Sequence, residues 1–109
     1  MKFEIFKSEK NGKFFFNLKA RNGQVILQSQ GYAAKPGAVN GIKSVQKNCG
    51  DDSKYERKVA KNGKHHFNLL SGNKQIVGSS QMYASKASME KGIKAVQAAA
   101  PGATVTTIE

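Results

Sequence analysis

The chain has 109 residues, of which 39% are hydrophobic and 23% charged, a composition that excludes a disordered chain and suits one domain or two small halves sharing a core. Eighteen Lys and Arg against seven Asp and Glu give a formal net charge of +11, which favours partners that carry phosphate or carboxylate groups. The single cysteine, Cys49, excludes an intramolecular disulfide, and no apolar run approaches the ~20 residues of a transmembrane helix, so we expect a cytoplasmic protein that does not bind membranes.

Three strands are predicted in the first part of the chain, over residues 3–7, 14–20 and 25–29. Asn11-Gly12 separates the first strand from the second, and Asn22-Gly23 separates the second from the third. Both dipeptides are typical of tight turns, because Asn and Gly tolerate a positive φ angle. Successive strands joined in this way are expected to pair antiparallel.

A helix is predicted after Pro36, where the spacing of the apolar residues changes. From there the apolar positions recur every three or four residues, as on one face of a helix: Ala38, Ile42, Val45 and Cys49. Pro36 suits the first helical turn, because the N–H group that proline lacks would have no helical partner there.

The same order of elements is predicted in the second part of the chain, with strands over residues 55–59, 65–70 and 75–80. A second apolar stripe predicts a helix: Met89, Ile93, Val96 and Ala100. Ser85 or Ser88 is expected to cap the start of this helix, and Pro101-Gly102 is expected to end it. The β-branched run over 104–108 predicts a last strand.

These two parts of the chain are copies of one unit. A shift of 51 residues places positions 11–46 over 62–97, and 18 of these 36 aligned positions are identical. We therefore interpret residues 1–109 as a single domain built from a first repeat, 1–51, and a second repeat, 52–109.

One repeat buries too little apolar surface to be stable alone, so the two repeats are expected to pack together about a pseudo-two-fold axis. The predicted fold is α+β: a tandem duplication of a β(3)-α-β unit that forms one antiparallel sheet with both helices on one face. The strand after each helix is expected to close the sheet of the repeat before it. Gly41 and Gly92 occupy matching positions inside the helices, where glycine costs ~1 kcal/mol, and they predict a close approach of each helix to its neighbours.

Four short motifs occur in both repeats: Asn-Gly-Lys, Phe-Asn-Leu, Ser-Gln-x-Tyr-Ala-x-Lys and Gly-Ile-Lys-x-Val-Gln. Over nearly the whole chain they resemble the YegP-like family, small bacterial proteins of unknown function built from one or two copies of such a unit. The resemblance implies that two copies join into one sheet and exchange their end strands, and it implies no activity. Two positions differ between the repeats: His65-His66 replace Phe14-Phe15, and Ala34 stands where Ser85 offers a helix cap.

The repeated positions contain no acid, histidine or cysteine, so a function duplicated with the fold is not expected to use acid–base chemistry. His65 and His66 are adjacent on a predicted strand and point to opposite faces, so they are not expected to bind one metal ion together. Asp51-Asp52 is expected to form a solvated turn. We therefore predict a protein that is not an enzyme and has no metal and no cofactor. A small enzyme with one site near these histidines and aspartates is the least favoured alternative.

The positive charge is the main indication of function. The residues that recur in both repeats and are candidates for binding an anion or nucleic acid are Lys13, Lys64, Lys35, Lys86, Lys43, Lys94, Tyr32 and Tyr83. Lysine arrays bind phosphate backbones by releasing counterions, and with only two arginines any contact with nucleic acid is expected to be weak and non-specific. The candidate partners are therefore nucleic acid and an acidic protein, bound by a monomer or a homodimer.

Three alternatives to these assignments stay open. The charge is equally consistent with a solvated basic surface that has no partner. Each tyrosine ring either packs at the edge of the core or stacks on a base. The third is a protein–protein interaction module that uses an exposed face or edge of the sheet.

Overall fold

The computed structural model describes residues 1–108, in which strands and helices follow the predicted order. The first repeat contains β1 (Lys2–Lys7), β2 (Phe14–Lys19), β3 (Val25–Gln28) and α1 (Lys35–Asn48). The second repeat contains β4 (Tyr55–Val59), β5 (His65–Leu70), β6 (Ile76–Ser79) and α2 (Lys86–Ala99), followed by β7 (Thr104–Thr107). A 3₁₀ turn, Asp52–Lys54, connects α1 to β4. The predicted α+β class is confirmed.

All seven strands form one sheet in the order β4-β5-β6-β3-β2-β1-β7. Within each repeat the three strands pair antiparallel, as expected from their short turns. The repeats join through β3 and β6, where Gln28 pairs with Ser79. These two residues are equivalent in the 51-residue shift, so the pseudo-two-fold axis passes through their pair.

The last strand, β7, does not close the sheet of the second repeat, where local reasoning placed it. This strand pairs with β1 of the first repeat, and it is parallel to β1, with Lys2 opposite Thr104. The reason lies in the path of α2, whose last turn lies beside the first repeat, where Ala98 and Ala99 border a small pocket together with Met1. The chain therefore enters the sheet at the start of β1 and runs in the same direction. Likewise β4, which follows α1, pairs with β5 of its own repeat.

Both helices pack on one face of the sheet, and apolar side chains from both repeats form one core between the two layers. Its largest fully buried side chains include Phe3, Phe16, Leu18, Phe67, Leu69, Ile42 and Ile93. Helix α1 contacts β1 and β2 of its own repeat and β5 and β6 of the other, so each repeat completes the core of its twin. In the part of the chain that the structure describes, neither helix is long and apolar enough to cross a membrane.

The joint between the repeats is asymmetric at one buried position. Leu27 on β3 is equivalent to Gly78 on β6 in the 51-residue shift. Leu27 is fully buried, and a Cβ atom added to Gly78 would lie 2.7 Å from its Cγ and 2.8 Å from its Cδ2. A protein core is packed too closely to absorb such an overlap, so one leucine fills the space beside both positions.

Each glycine inside a helix lies against the tyrosine of its own repeat. A Cβ atom on Gly41 would lie 2.9 Å from Cζ of Tyr32 and 2.9 Å from Cε2 of Phe16. A Cβ atom on Gly92 would lie 2.7 Å from Cζ of Tyr83. The predicted close approach is confirmed, and glycine is required here for space rather than for backbone conformation.

The starts of the two helices differ in capping. Ser85 accepts a hydrogen bond from the backbone N–H of Ser88 at 3.1 Å and caps α2. Ala34 occupies the equivalent position before α1 and offers no side-chain acceptor. The loss of a cap expected from the alanine is therefore confirmed, and Pro36 compensates in part because it lies in the first turn and presents no N–H group.

The four tight turns share one hydrogen bond, from a backbone N–H to an asparagine side chain two residues earlier. In three of them the residue after the asparagine is a glycine with positive φ, for example Gly23 at 81°. In the fourth this position is Lys74, with φ of 66°. A side chain in the left-handed region costs ~1–2 kcal/mol, so the β5–β6 turn is less favourable than its counterpart.

Replacing Gly41 by alanine tests the packing of helix on tyrosine. Alanine favours a helix over glycine by ~1 kcal/mol, but the added methyl group overlaps the Tyr32 and Phe16 rings, and such overpacking costs about 1–3 kcal/mol. We expect chemical denaturation to show a net loss of up to about 2 kcal/mol for Gly41→Ala, and the same for Gly92→Ala. Gly50→Ala, where a Cβ atom meets nothing within 4 Å, is the control. A stabilised Gly41→Ala variant would contradict this packing.

Candidate functional site

Six lysines lie on the outer surface of α1 and α2, which we call the helix layer. They are all exposed: Lys35, Lys43 and Lys47 on α1, and Lys86, Lys91 and Lys94 on α2. The ion pairs within residues 1–108 involve none of them. The apolar faces of both helices point to the core, so these lysines carry their ammonium groups into solvent. Lys43 and Lys47 lie four residues apart, and Lys91 and Lys94 three, on neighbouring turns of their helices.

The acidic residue of the helix layer, Glu90, is neutralised by an arginine of the second repeat. Arg57 Nε donates to Glu90 Oε2 at 2.6 Å, and Arg57 Nη2 donates to Asp52 Oδ1 at 2.9 Å. The guanidinium group lowers the pKa of Glu90, because it stabilises the charged carboxylate. The free charge of the helix layer is therefore positive.

The opposite face of the sheet is not covered by a helix, and it pairs its charges. Glu4 on β1 is buried between Lys19, 2.6 Å away, and Lys2, 3.1 Å away. These ammonium groups hold the pKa of Glu4 below its ordinary value of 4.5. Phe6 and Phe15 stack on the same face, with ring centroids 5.8 Å apart. This face is a poorer candidate for binding a polyanion than the helix layer.

Of the six lysines that the repeat predicted as candidates, four lie on the helices and two lie in turns. Lys35 and Lys86 are the first residues of α1 and α2, and Lys43 and Lys94 lie further along the same helices, so the structure brings these four into one layer. Lys13 lies in the β1–β2 turn and Lys64 in the β4–β5 turn. The β4–β5 hairpin is separated from the β1–β2 hairpin by β6 and β3, so these two lysines lie far apart across the sheet.

Both candidate tyrosines are half-buried and pack against the core. The Tyr32 ring stacks on Phe16 with centroids 6.3 Å apart, and the Tyr83 ring stacks on Phe67 with centroids 6.5 Å apart. Burial raises the pKa of Tyr32. Each ring thus has a phenylalanine on one face and a helix glycine against its hydroxyl end. Of the two alternatives for the tyrosines, this geometry favours packing at the edge of the core over stacking on a base.

The residues considered for catalysis are engaged in local structure. Asp51 caps the 3₁₀ turn by accepting hydrogen bonds from Ser53, which lower the pKa of its carboxyl group. Cys49 is buried, and burial raises the pKa of its thiol. The pocket that His65 borders is walled by basic and apolar residues. Within residues 1–108, no three His, Cys, Asp or Glu side chains are grouped closely enough to hold a metal ion.

The two outer strands of the sheet differ in charge. The edge strand β4 contains Glu56, Arg57 and Lys58, charges of the kind that discourage pairing with another strand. The opposite edge, β7, is Thr-Val-Thr-Thr, and Val105 is 51% exposed. Sequence analysis did not single out this neutral edge, because the strand order that exposes it is not encoded in the local pattern.

Comparisons with known proteins identify a family. The model of DUF1508, a domain of unknown function, matches the chain twice, over residues 9–56 and 60–106. A UPF0339 protein of Stutzerimonas stutzeri is 53% identical over 97% of this chain and 95% of its own length. YegP of Escherichia coli is 50% identical over 94% of this chain and 93% of its own length.

Two solution NMR structures are similar to this fold. The structure of Escherichia coli YegP, described as a protein of unknown function, has a TM-score of 0.92 and 47% identity, covering 97% of this chain and 90% of that one. A UPF0339 protein of Shewanella oneidensis has a TM-score of 0.91 and 47% identity, covering 97% of this chain and 89% of that one. The resemblance found in the sequence motifs is thereby confirmed.

Replacing Glu4 by glutamine tests the ion pairs on the uncovered face. A carboxylate whose pKa is lowered by folding adds stability above its ordinary value of 4.5, and this stability is lost as the pH falls through the folded value. We expect Glu4→Gln to unfold more easily than the parent protein near neutral pH, and the difference to shrink below pH 4.5. Thermal unfolding across this range measures it. A difference that does not vary with pH would contradict the assignment.

Proposed function

We propose that this chain, which belongs to the DUF1508 family, is a non-enzymatic binding domain of the cytoplasm. In this proposal an anionic partner binds to its helix layer. The observation that carries this proposal is the set of six exposed lysines on α1 and α2 that form no ion pair within residues 1–108. The net charge of +11 supports it, since such a surface attracts polyanions over long distances.

A flexible polyanion fits this surface better than a small anion. The lysines of α1 and α2 are distributed over two helices related by the pseudo-two-fold axis, and all six are exposed. Each ammonium group acts as a point charge, which holds a phosphate without reading a base. We therefore favour single-stranded nucleic acid, bound without sequence specificity, over an acidic protein.

In this proposal the candidate lysines contact the anionic partner, and the candidate tyrosines support the helices that carry these lysines. Lys43 and Lys94, with Lys35 and Lys86, form the central contact on the helix layer. Lys13 and Lys64 extend the positive surface toward the two sides of the sheet. In this proposal Tyr32 and Tyr83 hold the helices at their present height above the sheet and do not stack on bases.

A second candidate function is suggested by the edge of the sheet. β7 is neutral, short and open on its outer side, and such an edge pairs readily with an extended segment of another protein. Main-chain hydrogen bonds and apolar contacts would hold that partner, so the complex would be insensitive to salt. Salt dependence therefore separates the two functions.

Titration of a labelled single-stranded oligonucleotide at several salt concentrations tests the proposal. The logarithm of affinity is expected to fall linearly with the logarithm of salt, with a slope of about −0.7 for each phosphate that is neutralised. The double variant Lys43→Gln/Lys94→Gln should bind more weakly and reduce that slope by about 1.4.

The control is Lys10→Gln/Lys61→Gln, which removes the same charge from two exposed turn positions that the repeat also relates. It should change the slope less than the helix pair. No binding at low salt would overturn the proposal, and equal effects of the two double variants would remove the helix layer as its location. A protein partner retained at high salt would favour the sheet edge instead.

A further inference from the structure

We propose that a cavity beside the end of β7, which we call the β7 cavity, binds a small aromatic or aliphatic carboxylate. The cavity measures about 490 Å³ and lies between the ends of β1 and β7 and the start of α1. Its lining residues are Phe6, Lys7, Glu9, Phe14, Lys35, Thr107 and Ile108. Its volume is within the ~300–1,000 Å³ typical of small-molecule sites. Except for Lys35, its residues are separate from the proposed helix-layer site.

The apolar walls of the β7 cavity are held in place before any ligand arrives. Phe6 is stacked on Phe15 behind it, with centroids 5.8 Å apart. Phe14 exchanges two backbone hydrogen bonds with Tyr32, at 2.8 and 2.7 Å. Ile108 is 47% exposed and completes the apolar surface. Rigid walls reduce the entropy that a ligand must lose to order its site, so even a small apolar group is expected to bind here.

Charge selects the class of ligand. Lys7 Nζ lies 5.8 Å from the centroid of the Phe14 ring, and Lys35 is the first residue of α1. Glu9 contributes one negative charge, so the three charged side chains carry a net charge of +1. Neither lysine takes part in an ion pair within residues 1–108. An apolar ring packed against Phe14, with a single carboxylate directed to the ammonium groups of Lys7 and Lys35, satisfies both parts of the lining.

The second repeat offers an internal comparison. His65 is equivalent to Phe14, and Val59 pairs with His65 as Lys7 pairs with Phe14. Within residues 1–108, β4 has no further strand on its outer side. The pocket that His65 and Val59 border measures about 220 Å³. The counterpart in the second repeat is therefore smaller, because β7 leaves the second repeat and walls the first.

The test is a titration of the full ¹⁵N-labelled chain with phenylacetate, followed by ¹H–¹⁵N NMR. We expect saturable shifts confined to the lining residues, whereas benzyl alcohol and benzylamine bind at least about tenfold more weakly because they lack the carboxylate. Phe14→His and Lys7→Val, which introduce the residues of the second repeat, should each weaken phenylacetate binding by about tenfold.

His65→Phe, the reverse exchange in the second repeat, is the matched control and should leave phenylacetate binding unchanged. The NMR spectrum of each variant shows directly whether it is folded, and Lys7→Val keeps the test valid if Phe14→His unfolds. Benzylamine binding as tightly as phenylacetate, shifts spread over the helix layer, or no saturable shifts would each overturn the proposal.

Discussion

The structure depends on the antiparallel pairing of β3 with β6, where two copies of one unit meet and close a common core. Gln28 and Ser79, equivalent residues, pair with each other at this joint. Beside them a buried leucine, Leu27, occupies the space next to Gly78. Because neither repeat has enough apolar surface of its own, every helix covers strands of both repeats, and this joint positions all of them.

This joint gives the molecule a symmetric surface and an asymmetric one. The two helices follow the pseudo-two-fold axis, which relates Lys35 to Lys86 and Lys43 to Lys94. Lys47 and Lys91 add charge to the same layer without an equivalent lysine in the other repeat. The sheet does not follow this axis, because the chain after α2 leads β7 to the first repeat, whereas β4 remains an outer strand. A polyanion suits the symmetric surface, and a single small ligand suits the cavity that β7 creates. Duplication followed by divergence at a few positions thus accounts for both proposals.

Local patterns predicted every strand and helix, because the change from alternating residues to three-and-four spacing is a property of each segment alone. The local pattern alone placed β7 in the wrong repeat, since a β-branched run carries no information about which strand it will join. The exchange of end strands that the family resemblance implied is what β7 shows. Gly41 and Gly92 were informative because glycine is costly inside a helix. Gly78 was not, since the clash that it avoids is with Leu27, a residue distant in the sequence.

The candidate site, like the fold, was predicted where it depends on local sequence and missed where it depends on the order of strands. The helix lysines lie together because they occupy the outer positions of amphipathic helices, and the sequence shows those positions. The separation of Lys13 from Lys64 follows from the order of strands in the sheet, which no local pattern shows. The β7 cavity was missed for the same reason, although three consecutive phenylalanines, Phe14 to Phe16, signalled apolar side chains on both faces of β2.

A double-mutant cycle at Leu27 and Gly78 tests the shared joint most directly. Leu27→Gly should cost at least about 2 kcal/mol of unfolding free energy through the cavity it leaves, and Gly78→Leu about 1–3 kcal/mol through overpacking. If one side chain serves both positions, the double variant moves the leucine across the axis. It should then be more stable than the sum of the two losses predicts, by about 1–3 kcal/mol. Losses that add to within ~0.5 kcal/mol would show that the two positions do not share one space and would contradict the account.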